Sequence, residues 1–164
     1  DMVNLKMRTY GDLQMSLMRS LGADPTQLSW SELYSALQTG AVDGNMNGYQ
    51  TLYSGSLHEV QPYITEVNAT LSLYDFLANQ AAWDKLSPDT QALLQECAEK
   101  AAKWGRDYMS KTEAEVKKEM IDYGVKVYVP TEEELLAFKE GAAPTIEEYK
   151  KIVGPEACAA WGVE

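Results

Sequence analysis

Residues 30–44 read Trp30-Ser31-Glu32-Leu33-Tyr34-Ser35-Ala36-Leu37-Gln38-Thr39-Gly40-Ala41-Val42-Asp43-Gly44. Leu33, Tyr34, Ala36 and Leu37 recur at the spacing of one helix face, Ser31 is available as a cap, and Gly40 supplies a stop. Beyond it, Val42 to Gly48 is dense in turn formers. Working backward, Pro25 to Leu28 reads as a brief strand. Residues 12–21 carry Leu13, Leu17 and Leu21 at helical spacing and end at Gly22. In residues 4–9, Leu5 and Met7 alternate with Lys6 and Arg8 as in a strand. Strand, helix, strand, helix over the first forty residues is the pattern of a parallel α/β layer.

Working forward, a helical stretch is expected from Tyr49 to about His58, and Pro62 breaks it. Residues 63–67 and 71–78 are rich in Tyr, Val, Leu and Phe and read as extended. Ser87 and Pro88 open a long helix, with Ser87 as cap and Pro88 at the first helical position. Leu93, Leu94, Cys97, Ala98, Ala101, Trp104 and Tyr108 trace one apolar face along it. It runs to Asp122 or Tyr123, with Gly124 as the stop, and would be roughly 50 Å long at ~1.5 Å per residue. That exceeds the width of a small domain. Val125 to Val129 reads as a strand ended by Pro130. Thr131 then opens a helix with Glu132, Glu133 and Glu134 in its first turn, where the helix dipole favours acids. Residues 144–153 and 155–161 are expected to form short helices.

The 164 residues carry 14 Lys and Arg against 25 Asp and Glu, a net charge of −11 with the single His neutral. Such a balance argues against nucleic-acid binding, which needs clustered cations against phosphate. No apolar run approaches the ~20 residues that a membrane helix needs. Hydrophobic residues make up 45% of the chain, too many for a disordered acidic tail. The chain begins at Asp1 with no signal-type segment after it, which suggests a processed or excised piece. Cys97 and Cys158 lack CxxC spacing, and His58 stands alone, so no metal site and no cofactor are expected. There is no GxSxG, no GxxxxGK[ST] and no GxGxxG, and nothing singles out a pair among the acids, so no catalytic residues are assigned.

Arg8 is the informative charge. A strand covered on both faces leaves its guanidinium little water, and it cannot shed its proton, so it needs an anion. Asp43 or Glu32 could serve internally; a ligand carboxylate held bidentately is the other reading. Trp30 could be core or a pocket wall beside a strand-to-helix loop. Asn47 could be a turn residue or could present its amide to a ligand.

The ordered series Leu5-Lys6-Met7-Arg8, Leu21-Gly22-Ala23-Asp24-Pro25 and Trp30 to Gly44 resembles the solute-binding proteins of tripartite ATP-independent periplasmic (TRAP) transporters, the DctP type. Ala82-Trp83-Asp84-Lys85-Leu86-Ser87-Pro88 and Gly124-Val125-Lys126-Val127 fit the same family, so the resemblance covers roughly residues 4–129. It implies the second lobe of a two-lobed α/β binding fold with a long inter-lobe helix. Residues 1–78 would be the ligand-binding lobe, 79–124 the helical region, and 125–164 a strand and helices returning to a first lobe that precedes this chain; 125–129 would belong to that first lobe. The family's carboxylate-binding arginine falls on Arg8, its pocket aromatic on Trp30 and its pocket asparagine on Asn47. Met46 replaces the acid usual before that asparagine, and Val67-Asn68-Ala69 lacks a histidine common in the family.

The resemblance further implies a small organic-acid ligand, TRAP membrane permease subunits as partners, and a periplasmic location or an extracytoplasmic lipoprotein. A sensing or interaction module on the same fold, or less readily an enzyme, is the alternative. An oxidising compartment permits a Cys97–Cys158 disulfide, with two buried free thiols as the other reading. The isolated chain is expected to expose apolar surface and self-associate.

Overall fold

In the computed structural model, which describes residues 2–70, 73–160 and 162, the alternating segment Lys6–Thr9 is strand β1, and Asp12–Ser20 is helix α1. Asp24–Gln27 forms β2, Trp30–Thr39 forms α2 and Gly44–Asn45 forms β3. β1 lies between β2 and β3 and runs parallel to both. Each strand-to-strand connection crosses through a helix, as parallel pairing requires. The chain first steps from β1 to β2 and then crosses to the far side of β1. The carboxyl ends of β1, β2 and β3 therefore share one edge of the sheet.

Met7, Met18 and Ala23 form a buried cluster against which Met2, Leu17, Leu21 and Met46 pack. Leu33 and Leu37 are the buried face of α2, as their spacing predicted. The cap of α2 is Ser29, not Ser31. Ser29 is extended (φ −64°, ψ 156°) while Trp30 is already helical. The Ser29 hydroxyl bonds the Glu32 carboxylate, which couples the two residues of an S-x-x-E start. At the other end Gly40 takes the left-handed conformation (φ 72°), and its N–H bonds the Leu37 carbonyl. An alanine there would strain the backbone.

Helix α3, Tyr49–Ser54, is followed by a 3₁₀ turn at Leu57–Glu59, so the expected helix to His58 is broken at Gly55 and Ser56. The turn buries Leu57. His58 lies between Tyr53 and Tyr123, with ring centroids 5.0 Å from each. Strand β4, Tyr63–Thr65, pairs in parallel with β5, Lys126–Tyr128. The two strands are one small sheet of the same unit. Residues 73–79 have no regular structure, and residues 71 and 72 lie outside the described set.

A short α4, Gln80–Trp83, which periodicity does not announce, is capped by the Asn79 side chain. Helix α5, Pro88–Tyr123, spans 36 residues and is capped by Ser87, whose Oγ accepts from the Thr90 N–H at 3.3 Å. At 1.5 Å per residue it is about 54 Å long. Its expected apolar face is exposed: Leu93, Leu94, Trp104 and Tyr108 all face solvent, and Met120 near its end is its buried residue.

Helix α6, Glu132–Ala160, begins with a reciprocal capping box. The Thr131 N–H donates to Glu134 (2.8 Å) and the Glu134 N–H donates to Thr131 Oγ1 (3.3 Å). That backbone bond, with the Tyr128 hydroxyl, holds the Glu134 carboxyl below its ordinary range. The separate helix expected from residue 144 does not form. Helix runs through Pro144, and the break comes at Gly154 (φ 82°, ψ 170°). α6 packs on α1, where Ser16 bonds Thr145 and Glu148.

The chain divides into two compact units. One joins residues 1–67 with 120–164, and the other is residues 68–119. Both cysteines are free thiols, with Cys97 exposed and Cys158 half-buried. Among the described residues no helix is long and apolar enough to cross a membrane.

Candidate ligand-binding site

Arg8 is the third residue of β1, opposite Thr26 of β2 and Asn45 of β3. It is 5% exposed. Its Nε–H donates to the Leu28 carbonyl at 2.9 Å. Its guanidinium carbon lies 5.4 Å from the centre of the Tyr10 ring and 6.0 Å from that of Trp30, within reach of a cation–π attraction. The internal partners considered from sequence are engaged elsewhere. Asp43 accepts from the Lys6 N–H (2.9 Å) and sits 3.8 Å from Lys6 Nζ, and Glu32 is bonded to Ser29. Among the described residues no carboxylate pairs with Arg8. Burial lowers its pKa from the usual arginine value, with Tyr10 opposing, yet a guanidinium keeps its proton. A covered cation with a single carbonyl acceptor is an unfinished ion pair.

Arg8 and Trp30 line one cavity of about 400 Å³, together with Tyr10, Gln27, Leu28, Ser29 and Glu32. It opens where β1 and β2 end and α2 begins. Ligands of open parallel sheets bind beyond the carboxyl ends of their strands, and the start of α2 adds the positive end of a helix dipole. Chemically, the arrangement offers a fixed cation and two aromatic faces, with Glu32 as the one anionic side chain. Among the described residues no group of His, Cys, Asp and Glu could hold a metal ion.

Asn47 does not line this cavity. It lies just past β3, on the same sheet edge, and its Nδ2–H donates to Asn45 Oδ1 at 2.5 Å. The sequence reading passed over Tyr10, although it stands two residues beyond Arg8, where strand alternation puts it on the same side. Gln14 was missed as well; it accepts from the Tyr10 N–H at 3.0 Å and fixes that loop.

Gly55 was also missed. A Cβ there would lie 2.7 Å from Cζ2 of the Trp30 indole and 3.1 Å from Cη2, so the ring rests on bare backbone. Gly55→Ala is expected to push the half-exposed indole out of place and so to weaken ligand affinity, with a smaller effect on stability than an overpacked core would show. The measurement is the urea-unfolding midpoint together with ligand affinity; both unchanged would mean that the ring position does not matter.

The sequence pattern of "Bacterial extracellular solute-binding protein, family 7" (DctP) matches residues 1–152. The chain belongs to that family, which is one of solute-binding proteins rather than enzymes. It is 30% identical over 98% of its length to the C4-dicarboxylate-binding periplasmic protein DctP of Rhodobacter capsulatus, covering 49% of that protein. It is 31% identical over 95% of its length to the ectoine-binding periplasmic protein TeaA of Halomonas elongata, covering 47% of it. Its fold matches a TRAP periplasmic solute-binding protein of Shewanella oneidensis with bound succinate (TM-score 0.83, 25% identity, 94% of this chain and 51% of that one). It likewise matches one of Bradyrhizobium in complex with D-galacturonate (TM-score 0.81, 27% identity, 98% and 52%). The chain thus spans about half the length of the relatives it matches.

Proposed function

We propose that this chain supplies the carboxylate-binding lobe of a periplasmic solute-binding protein that hands a small organic acid to a TRAP membrane permease. The observation that carries this reading is Arg8, covered and without a carboxylate among the described residues. An acid group would complete it with two parallel N–H···O bonds. Tyr10 and Trp30 would close on the ligand's apolar or ring surface, and Asn47, outside the cavity on the same sheet edge, would meet polar substituents that extend past it. Relatives named for a C4-dicarboxylate, for succinate and for galacturonate share the carboxylate that this reading requires. On this reading residues 1–78 are the lobe that holds the acid, 79–124 the helical span and 125–164 the return.

A thermal-shift screen of the intact protein against organic acids tests the proposal. A true ligand at a hundred times its Kd stabilises by about 2.7 kcal/mol. Each acid is paired with its uncharged amide. Stabilisation by the acid alone is expected; equal stabilisation by the amide would remove the role of Arg8.

The exposed apolar surface supports the two-lobed reading. Leu73, Tyr74, Phe76, Leu77, Leu93 and Trp104 all face solvent, more than an isolated domain normally leaves uncovered. Sedimentation of the 164-residue chain is expected to show concentration-dependent association. A monomer across a hundredfold concentration range would contradict it.

A further inference from the structure

Three side-chain amides run in series beside the proposed site. Asn47 Nδ2–H donates to Asn45 Oδ1, and Asn45 Nδ2–H donates in turn to Gln61 Oε1. Asn45 stands opposite Arg8 in the β1–β3 register, and Gln61, the far end of the series, lies sixteen residues beyond Asn45 along the chain. Gln61 itself does not line the cavity.

The far end of the series is held from two sides. The Gln61 N–H donates to the Leu57 carbonyl at 2.9 Å, on a turn anchored by the buried Leu57. The next residue is Pro62, whose ring restricts Gln61 to extended backbone and whose carbonyl accepts from the Lys126 N–H at 2.9 Å. Gln61 is thus held on one side by the turn and on the other by the β4–β5 sheet. The near end is held by the short β1–β3 pairing at Asn45 and by Met46 against the buried Met7 cluster. β3 is only two residues long, and Asn47 follows it in a turn-forming segment rich in Gly and Asn. Gly44, the first residue of β3, makes room for Met7 rather than for the series: a Cβ there would lie 2.9 Å from Met7 Sδ.

We propose that Gln61 is a positioning residue: it fixes Asn45, and through Asn45 it fixes the amide of Asn47, so that Asn47 faces the ligand in one orientation. This rests on the reading of Asn47 as a ligand contact. An amide left to rotate offers a ligand its oxygen or its nitrogen indifferently and must be ordered on binding, which weakens affinity. Held by Asn45, Asn47 has its oxygen and one N–H left to offer.

The test uses the intact protein, labelled with nitrogen-15, and two variants. Gln61→Met keeps the length of the side chain and removes the acceptor. Gln61→Glu keeps the acceptor. In the free wild type, the side-chain amide protons of Asn45 and Asn47 are expected to be separated in shift and slow to exchange. In Gln61→Met both signatures should collapse toward those of a free amide, and in Gln61→Glu both should persist. Averaged, fast-exchanging amides in the wild type, or an Asn47 signature unmoved in Gln61→Met, would overturn the proposal without any ligand.

The second arm is calorimetry with succinate and D-galacturonate as probes. Gln61→Met is expected to weaken whichever acid binds by about 3- to 10-fold, the scale of one neutral hydrogen bond. Combined with Asn47→Ala it should cost little more than Asn47→Ala alone, because both act through the same contact. Fully additive losses, or a loss for Asn47→Ala with none for Gln61→Met, would overturn it. If neither acid binds the wild type, the probes count against the functional reading, and the amide signatures alone decide the role of Gln61.

Discussion

Replacing Arg8 by alanine is expected to weaken binding of the protein's organic acid by about 30-fold to a few thousand-fold. Truncating one member of a buried, hydrogen-bonded charge pair costs about 2–5 kcal/mol, and each 1.4 kcal/mol is tenfold in Kd. Arg8→Lys should recover little of this, since an ammonium is a point charge and cannot form two parallel bonds to a carboxylate. Stability should behave differently from affinity. In the free chain the guanidinium is covered, with the Leu28 carbonyl as its acceptor and no carboxylate beside it among the described residues. Removing it gives up that bond but also relieves a buried charge of its desolvation cost. The urea midpoint of Arg8→Ala should therefore move little, or rise. A large fall in stability with affinity intact would mark Arg8 as a structural residue.

Leu33→Ala is expected to do the reverse. Leu33 is fully buried and is the central anchor of α2. Truncating a buried leucine to alanine costs about 2–5 kcal/mol through lost transfer energy and the cavity left behind, a large part of the roughly 5–15 kcal/mol that holds a domain together. With a urea slope of about 1–3 kcal/mol per molar, the midpoint should fall by roughly 2 M. Trp30 makes the useful contrast, since it begins the same helix but is 45% exposed. Trp30→Ala should lower affinity and leave the midpoint nearly in place. Equal midpoint losses for the two variants would contradict this division between core and pocket.

How far the sequence could be read differs along the chain, for physical reasons. β1, α1 and α2 were legible because alternation, helical spacing and glycine stops agree, and the expected Met7, Leu33 and Leu37 are buried; in α1 the buried residues are Met18 and Gln14, beside the expected Leu13–Leu17–Leu21 stripe, which is only half-buried. The cap of α2 was misplaced by two residues because Ser29 and Ser31 are chemically equivalent; the extended backbone of Ser29 and its bond to Glu32 distinguish them. The expected break at residue 144 failed because proline removes one hydrogen bond without forbidding the helical angle, whereas Gly154 adopts a non-helical one.

The apolar stripe of α5 was legible as a stripe, but not its exposure. Periodicity shows that a face wants a partner and cannot show whether the partner lies within the chain. In the site, Arg8 stood out because a cation in a covered strand is costly, and Trp30 because it begins the motif helix. Gly55 and Gln61 gave no local signal. Their roles come from contacts with Trp30 and Asn45, which lie 25 and 16 residues away along the chain.

On this reading Arg8 is the seat of a ligand carboxylate. A crystal structure of the intact protein with its organic acid bound tests this most directly. Both carboxylate oxygens are expected within about 2.7–2.9 Å of the Arg8 guanidinium nitrogens, with the body of the ligand against Tyr10 and Trp30. An acid bound elsewhere, with Arg8 paired to a carboxylate of the protein itself, would contradict it.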